Sequence, residues 1–401
     1  MWKRNLFILY AGQFLAMAST SCVAPFLPLY LQEMGLTDPG QVRWWTGMIY
    51  GGNLLTAFLF SPIWGRLADR FGRKPMLIRS GLGMAVTITL MGFATDPVHL
   101  LLLRLANGAI AGFSPAAVAL TAAQTPKEHS GYSLGVLHSG AVAGTMFGPL
   151  LGGAMADRWG FAAVFLFIGS GIFVASLIVI FFVRETFRKP EAKKGGSFLR
   201  DLRTIAGRKP IPSLLVSGAA IRMAAVGTLP FIPLYVQQLA GPDADHLVLM
   251  AGVTAAAMGL GNMISAPRLG KLGDRIGSRY VLFGSVAGAV VFLVPQAFVQ
   301  ELWPFVALRA LTGACLGGMM PSVNALMRHY APAGMESRSY SYLNCALFLG
   351  GMIGSVGMGA VSSLFGLPMI FIGSAFLLLM NAIWMKATVL KHDPSPRIES
   401  R

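Results

Sequence analysis

The chain has 401 residues, of which 55% are apolar and only 12% charged, and its net charge is +16. Soluble domains carry ~25% charged residues and disordered chains lack this hydrophobicity, so both classes are excluded. The 48 glycines keep no three-residue period, which excludes collagen.

A bilayer-spanning helix needs ~20 predominantly apolar residues. Runs of that length lie at 6–31, 44–64, 76–95, 98–122, 132–156 and 161–183, and again at 212–236, 247–267, 280–299, 303–327, 339–363 and 367–385. None alternates over ~10 residues as a membrane β-barrel strand does. The expected fold class is an all-α polytopic membrane protein with 12 transmembrane helices. With the N-terminus inside, the cytoplasmic segments hold 27 of the 32 Lys and Arg, counting Arg79 at the inner end of span three; the outer loops hold only Arg43 and Arg158, and Arg104, Arg222 and Arg309 fall deeper within spans. That bias is the positive-inside pattern. It places both termini in the cytoplasm and explains the basic charge without nucleic acid.

The first run begins Lys3-Arg4 and contains Ala16-Met17-Ala18, as a signal peptide would. Its apolar stretch continues to Leu31 and has a second copy downstream, so an uncleaved first helix is expected. Between spans two and three lies Gly65-Arg-Leu-Ala-Asp69-Arg70-Phe-Gly72-Arg73-Lys74-Pro75. Gly65 and Gly72 allow tight turns and close helix approach. Asp69, a lone acid among Arg66, Arg70, Arg73 and Lys74, can bind a neighbouring cation or a helix N-terminus. This makes a releasable latch, or else simply fixes the loop. Span five carries Gly140, Gly144, Gly148, Pro149, Gly152 and Gly153. Glycines four apart form a close-packing face, and Pro149 kinks the helix. The counterpart near Gly350, Gly354 and Gly359 lacks the proline. Cys22, Cys315 and Cys345 show no metal or disulfide spacing and read as free buried thiols.

Self-comparison reveals a repeat. Pro25-Phe-Leu-Pro28-Leu-Tyr30 returns as Pro230-Phe-Ile-Pro233-Leu-Tyr235, the loop returns as Gly270–Arg279 with Asp274 and Arg275, and Arg104-Leu-Ala-Asn107-Gly108 returns as Arg309-Ala-Leu-Thr-Gly313, all at an offset of 205. Six spans per half make these parallel repeats. The expected domains are an N-terminal bundle at 1–183, a basic linker at 184–211 and a C-terminal bundle with a short tail at 212–401. In the linker, Phe198, Leu199, Leu202 and Ile205 share one helical face, which reads as a helix lying on the membrane surface or as a solvated linker.

These motifs resemble those of the major facilitator superfamily. Gly65, Asp69 and Arg70 match its signature between spans two and three, and Arg104 with Asn107-Gly108 resembles its span-four motif. The stretch from Gly144 to Gly153 resembles the span-five signature of its drug:proton antiporter family. The resemblance covers essentially the whole chain. It implies a bacterial inner-membrane exporter linked to antibiotic resistance, working by alternating access, with the proton gradient as energy source and no cofactor. The implied partners are a small-molecule substrate, protons and membrane lipid, with neither nucleotide nor nucleic acid, and the chain is expected to be a monomer.

An ionisable group at bilayer depth is a functional candidate by default. Arg104 and Arg309 lie ~9 Å inside the outer ends of their spans and are expected either to snorkel outward or to act between helices. Arg222 lies ~15 Å into its span, too deep for easy snorkelling, and has Met17 at its repeat position. It is the leading candidate for a substrate or coupling contact. No Asp or Glu stands mid-span, which departs from many proton-coupled drug exporters. The proton-site candidates are Glu33, Asp69 and His138, whose side-chain type titrates near neutrality. Three intramembrane arginines favour anionic or neutral amphiphilic substrates. Uptake of an organic solute and lipid flipping remain open, because direction is not written in a fold. A membrane enzyme or a channel fits less well: the six histidines are scattered, and no HExxH, GxSxG or GxxxxGK[ST] motif occurs.

Overall fold

A computed structural model describes residues 2–23, 25–126, 129–185, 207, 210–241, 244–332 and 336–389, without the side chains at 66, 69, 130, 131 and 336–338. The expected surface helix of the linker and the Asp69 carboxylate therefore lie outside the described residues.

The first half comprises α1 (Trp2–Val23), α2 (Leu27–Glu33), α3 (Pro39–Phe71), α4 (Arg73–Met91), α5 (Pro97–Ile110), α6 (Phe113–Gln124) and α7 (Ser130–Phe182). The second comprises α8 (Ile211–Thr228), a 3-10 turn at Leu229–Phe231, α9 (Ile232–Ala240), α10 (Leu247–Ile276), α11 (Ser278–Gln296), α12 (Leu302–Tyr330), α13 (Glu336–Phe365) and α14 (Pro368–Thr388). Among the described residues, nine helical segments are long and apolar enough to cross a membrane. One of these contains α7, which bends at Gly160 (φ +78°) and so holds two of the expected spans. With α3 and the basic-ended α4, twelve rods result.

Three expected spans are broken rather than continuous. Span one divides between α1 and α2 at Pro25 and Pro28, and span seven divides at the repeat-related Pro230 and Pro233. Proline lacks the N–H that a continuous helix would bond. Span four divides between α5 and α6 at Gly112, whose φ of +141° suits glycine.

The repeat extends to individual hydrogen bonds. The Tyr30 hydroxyl donates to the Met91 carbonyl at 2.9 Å, and the Tyr235 hydroxyl donates to that of Gln296 at 2.7 Å. Both donor and acceptor positions differ by 205. Each tyrosine sits in an aromatic cluster, with Phe26 and Phe165 in one half and with Phe305 and Phe371 in the other. The two apolar cores interlock at their margins, for Val42 of α3 belongs to the second and Val248 of α10 to the first.

The span-five glycines pack as their spacing predicts. A Cβ at Gly140 would meet Tyr10, and one at Gly144 or Gly148 would meet the α1 backbone near Ala18. Gly152 lies against Cys22. Pro149 turns the other way, and its carbonyl lies against Gly252 of α10. One short segment of α7 thus joins its own bundle to the opposite one.

Candidate translocation site

The halves meet along two seams, α3 with α13 and α7 with α10. Both are closed at one end. There a Cβ on Gly47 would stand 2.6 Å from the Ser355 carbonyl, and one on Gly153 would stand 2.7 Å from that of Val248. Further along the second seam, a Cβ on Gly259 would meet Met146 only at 3.8 Å. At the far end, Gly65 and Gly270 have no neighbour within 4 Å of such an atom. Among the described residues, no close approach at Gly65 is seen in this conformation.

Polar contacts reinforce the closed end. Gln32 and Gln237, themselves 205 apart, exchange side-chain hydrogen bonds of 3.2 and 3.3 Å. Arg43 Nη1 donates to the Ser362 carbonyl at 2.8 Å. The Asp157 carboxylate accepts from the Val248 and Leu249 amides at 3.2 and 3.0 Å, capping α10 from another helix where carboxylates are favoured. His246 Nδ1 lies 3.8 Å from the same carboxylate. Positions 43 and 157 are the repeat partners of 248 and 362, so the two seams are sealed at equivalent places by different chemistry.

Arg104 and Arg309 do not snorkel: they are only 3% and 0% exposed, with their heads inside the bundles. Of the two alternatives, outward snorkelling is not found, because α5 and α12 turn these side chains toward α3 and α10. In the first half, Asn53 Nδ2 donates to the Arg104 carbonyl at 3.0 Å and to Asn107 Oδ1 at 3.2 Å. Asn107 Nδ2 in turn donates to Thr87 Oγ1 at 2.8 Å. Gly108 lets α5 approach this turn of α3. Arg104 Nε and Nη2 have no hydrogen-bond partner. In the second half, Met258 replaces Asn53 at the repeat position. Its sulfur receives Arg309 Nη2 at 2.7 Å, and Arg309 Nε has no partner.

Arg222 behaves differently. It sits midway along α8 against Gly351 of α13, yet its side chain is exposed. A deep residue that reaches solvent lines the opening between the halves. Tyr50 of α3 lies within electrostatic range of both Arg222 and Arg104, and Cys22 within range of Arg104. Sequence reasoning missed Tyr50, which lies near both arginines. Such a row of donors can receive an anionic or polar head while the surrounding apolar walls hold a hydrophobic body.

The remaining candidates lie elsewhere. Glu33 is exposed at the end of α2, and His138 is exposed eight residues into α7. Gly72 and Gly277 form the tight turns with φ of +97° and +101°. Arg70 stacks on Phe71, 5.2 Å from the ring centroid, while Asp274 and Arg275 are exposed. Among the described residues, Glu185 grips the first loop, its carboxylate accepting from the Arg73 and Lys74 amides at 2.8–3.1 Å. Arg79 was also missed: it lies six residues into α4, its guanidinium 3.3 Å from the Trp64 ring centroid. Repeat arithmetic continued two residues past Tyr30 and Tyr235 would have found Gln32 and Gln237. No local signal marks Tyr50.

Two repeated six-helix bodies, joined at one end and parted at the other around a charged opening, define a secondary transporter. The profile of the Major Facilitator Superfamily matches residues 9–261 and 247–401, and the chain belongs to that family. It is 38% identical to the multidrug resistance protein MdtG of Salmonella typhimurium over 96% of this chain and 95% of that one. It is 39% identical to the MdtG of Citrobacter koseri over 96% and 94%. Among solved structures, it resembles a bacterial homologue of the human lysosomal transporter Spinster, inward-facing and occupied, with a TM-score of 0.82, 16% identity and 98% of each chain covered. The human organic anion transporter MFSD10 shares the fold with a TM-score of 0.70 and 16% identity over 96% and 99% of the two chains.

Proposed function

We propose that this transporter exports drugs or amphiphilic small molecules, anionic ones included, from the bacterial cytoplasm across the inner membrane in exchange for protons. The single observation that carries the mechanism is the asymmetry of the seams, closed at the Gln32–Gln237 end and parted at the Gly65 and Gly270 end. The basic residues collect at the parted end, so the positive-inside rule makes it the cytoplasmic side and the conformation inward-facing. The units 1–183 and 212–401 then rock about the seams, with the 65–73 and 270–275 loops, Asp69 and Asp274 among them, meeting when the inner side closes. Export is supported by the multidrug resistance relatives and by the span-five Gly-Pro pattern. Arg222 supports anionic or neutral cargo, since an exposed guanidinium in the opening attracts one sign and repels the other.

The test is accumulation of fluorescent amphiphiles of either charge in cells, with and without a protonophore. The expected result is energy-dependent extrusion of the anionic or neutral probes, lost in Arg222→Ala. Preferential efflux of lipophilic cations that Arg222→Ala leaves unchanged would overturn the cargo assignment, and energy-dependent uptake would overturn the direction.

A further inference from the structure

A cavity lies apart from the opening between the halves. It is an apolar slot of about 470 Å³ on the flank of the first bundle, between α1 and the two arms of α7. Its lining on α1 runs from Phe7 to Cys22, ~22 Å along the helix at 1.5 Å per residue. Gly12, Gly148, Gly152 and Gly171 are among its lining residues, and Gly171 leaves open space against α1. Phe7, Phe167 and Val174 at its rim are exposed, which on an apolar transmembrane surface means exposed to lipid. The repeat did not duplicate it: Ile353 and Phe376 stand where Gly148 and Gly171 would recur.

The slot has a charged mouth. Phe7 and Ile178 line its end nearest the N-terminus. Beyond them lie the exposed Lys3 and Arg4 on one wall and the exposed Arg184 on the other. Arg4 Nη2 spans the two walls, donating to the Phe182 carbonyl at 3.1 Å. The neighbouring acid, Glu185, is committed to the start of α4, so it does not neutralise this cluster. Trp2 beside these cations stacks on His129 at 5.3 Å, and tryptophan is enriched at membrane interfaces.

We propose that this slot binds an anionic phospholipid of the cytoplasmic leaflet, one acyl chain lying between α1 and α7 and the headgroup meeting Lys3, Arg4 and Arg184. The length and apolarity of the slot suit a hydrocarbon chain. Each cation near a membrane surface strengthens anionic lipid binding severalfold. Such a lipid would wedge α1 against α7, whose first arm also forms the seam with α10. The site is separate from the translocation opening, so it stands whatever the cargo.

Native mass spectrometry of the full-length protein with phosphatidylglycerol and phosphatidylethanolamine of matched chains tests it. Wild type should retain phosphatidylglycerol in preference. Neutralising Lys3→Gln, Arg4→Gln and Arg184→Gln together should cut that preference by about tenfold or more. Gly171→Leu has room for its first carbon, since the nearest atom to a Cβ there is Leu15 Cδ2 at 3.6 Å. It should fill the slot and reduce retention of both lipids. Equal retention of the two lipids by wild type, or a Gly171→Leu protein that retains both as wild type does, would overturn the proposal. Displacement of the lipid by a transported drug would also overturn it, by making the slot a cargo site.

Discussion

The polar turn around Arg104 and its repeat around Arg309 are one blueprint executed twice with different chemistry. Around Arg104, Asn53, Asn107 and Thr87 form a hydrogen-bonded ladder, and Tyr50 lies near both Arg104 and the exposed Arg222. Around Arg309, Met258 takes the place of Asn53, and the nearby Gln296 turns away to Thr312 at 2.8 Å. A buried charge is expensive unless it is paired, so the half whose arginine shares a neighbour with the exposed Arg222 is the half expected to work on cargo or protons. The other is expected to hold helices in place. Duplication kept the position of the cation and changed its neighbours.

Four experiments would break or sharpen this contrast. The largest effect is expected from Arg222→Ala, which removes a charge-assisted contact worth ~1.5–3 kcal/mol; efflux of an anionic probe should fall by ~10-fold or more at unchanged expression and melting temperature. Next come Arg104→Met and Arg309→Met compared side by side. Arg104→Met should lose most transport. Arg309→Met should keep it and melt at an equal or higher temperature, because replacing a poorly paired buried charge by an apolar side chain is often neutral or stabilising. Equal transport loss in both variants would erase the distinction.

Smaller effects belong to the sealed end. Asp157→Ala should remove ~1 kcal/mol of capping from α10, raising thiol labelling at the closed end about fivefold by the same estimate. Replacing both Gln32 and Gln237 by Leu should change stability least, because removing both partners of a hydrogen bond leaves neither unsatisfied. The single Gln32→Leu variant should melt lower than the double, as differential scanning fluorimetry would report.

The sequence revealed the repeat because parallel duplication leaves a constant offset, and the structure carries that offset down to Tyr30–Met91 and Tyr235–Gln296. Basic ends and apolar rods were legible because bilayer physics acts residue by residue. Interruptions in spans one, four and seven were harder to see, since hydropathy averages over proline and glycine breaks. The site was legible only in part. Arg104, Asn107 and Arg222 announced themselves as polar groups in apolar runs, whereas Tyr50 and Asp157 act through helices far away in the chain. Depth alone could not choose between snorkelling and an interhelical place for Arg104 and Arg309, because depth along a helix says nothing of which neighbour its face meets.

Interspin distances most directly test rocking about the seams. In a background with Cys22, Cys315 and Cys345 replaced by Ser, spin labels at Gly65→Cys and Gly270→Cys would report on one end, and labels at Trp44→Cys and Phe365→Cys on the other. Adding a transported substrate under an imposed proton gradient should shorten the first distance while lengthening the second. Distances that stay fixed, or that change together in the same sense, would contradict alternating access by two rigid halves.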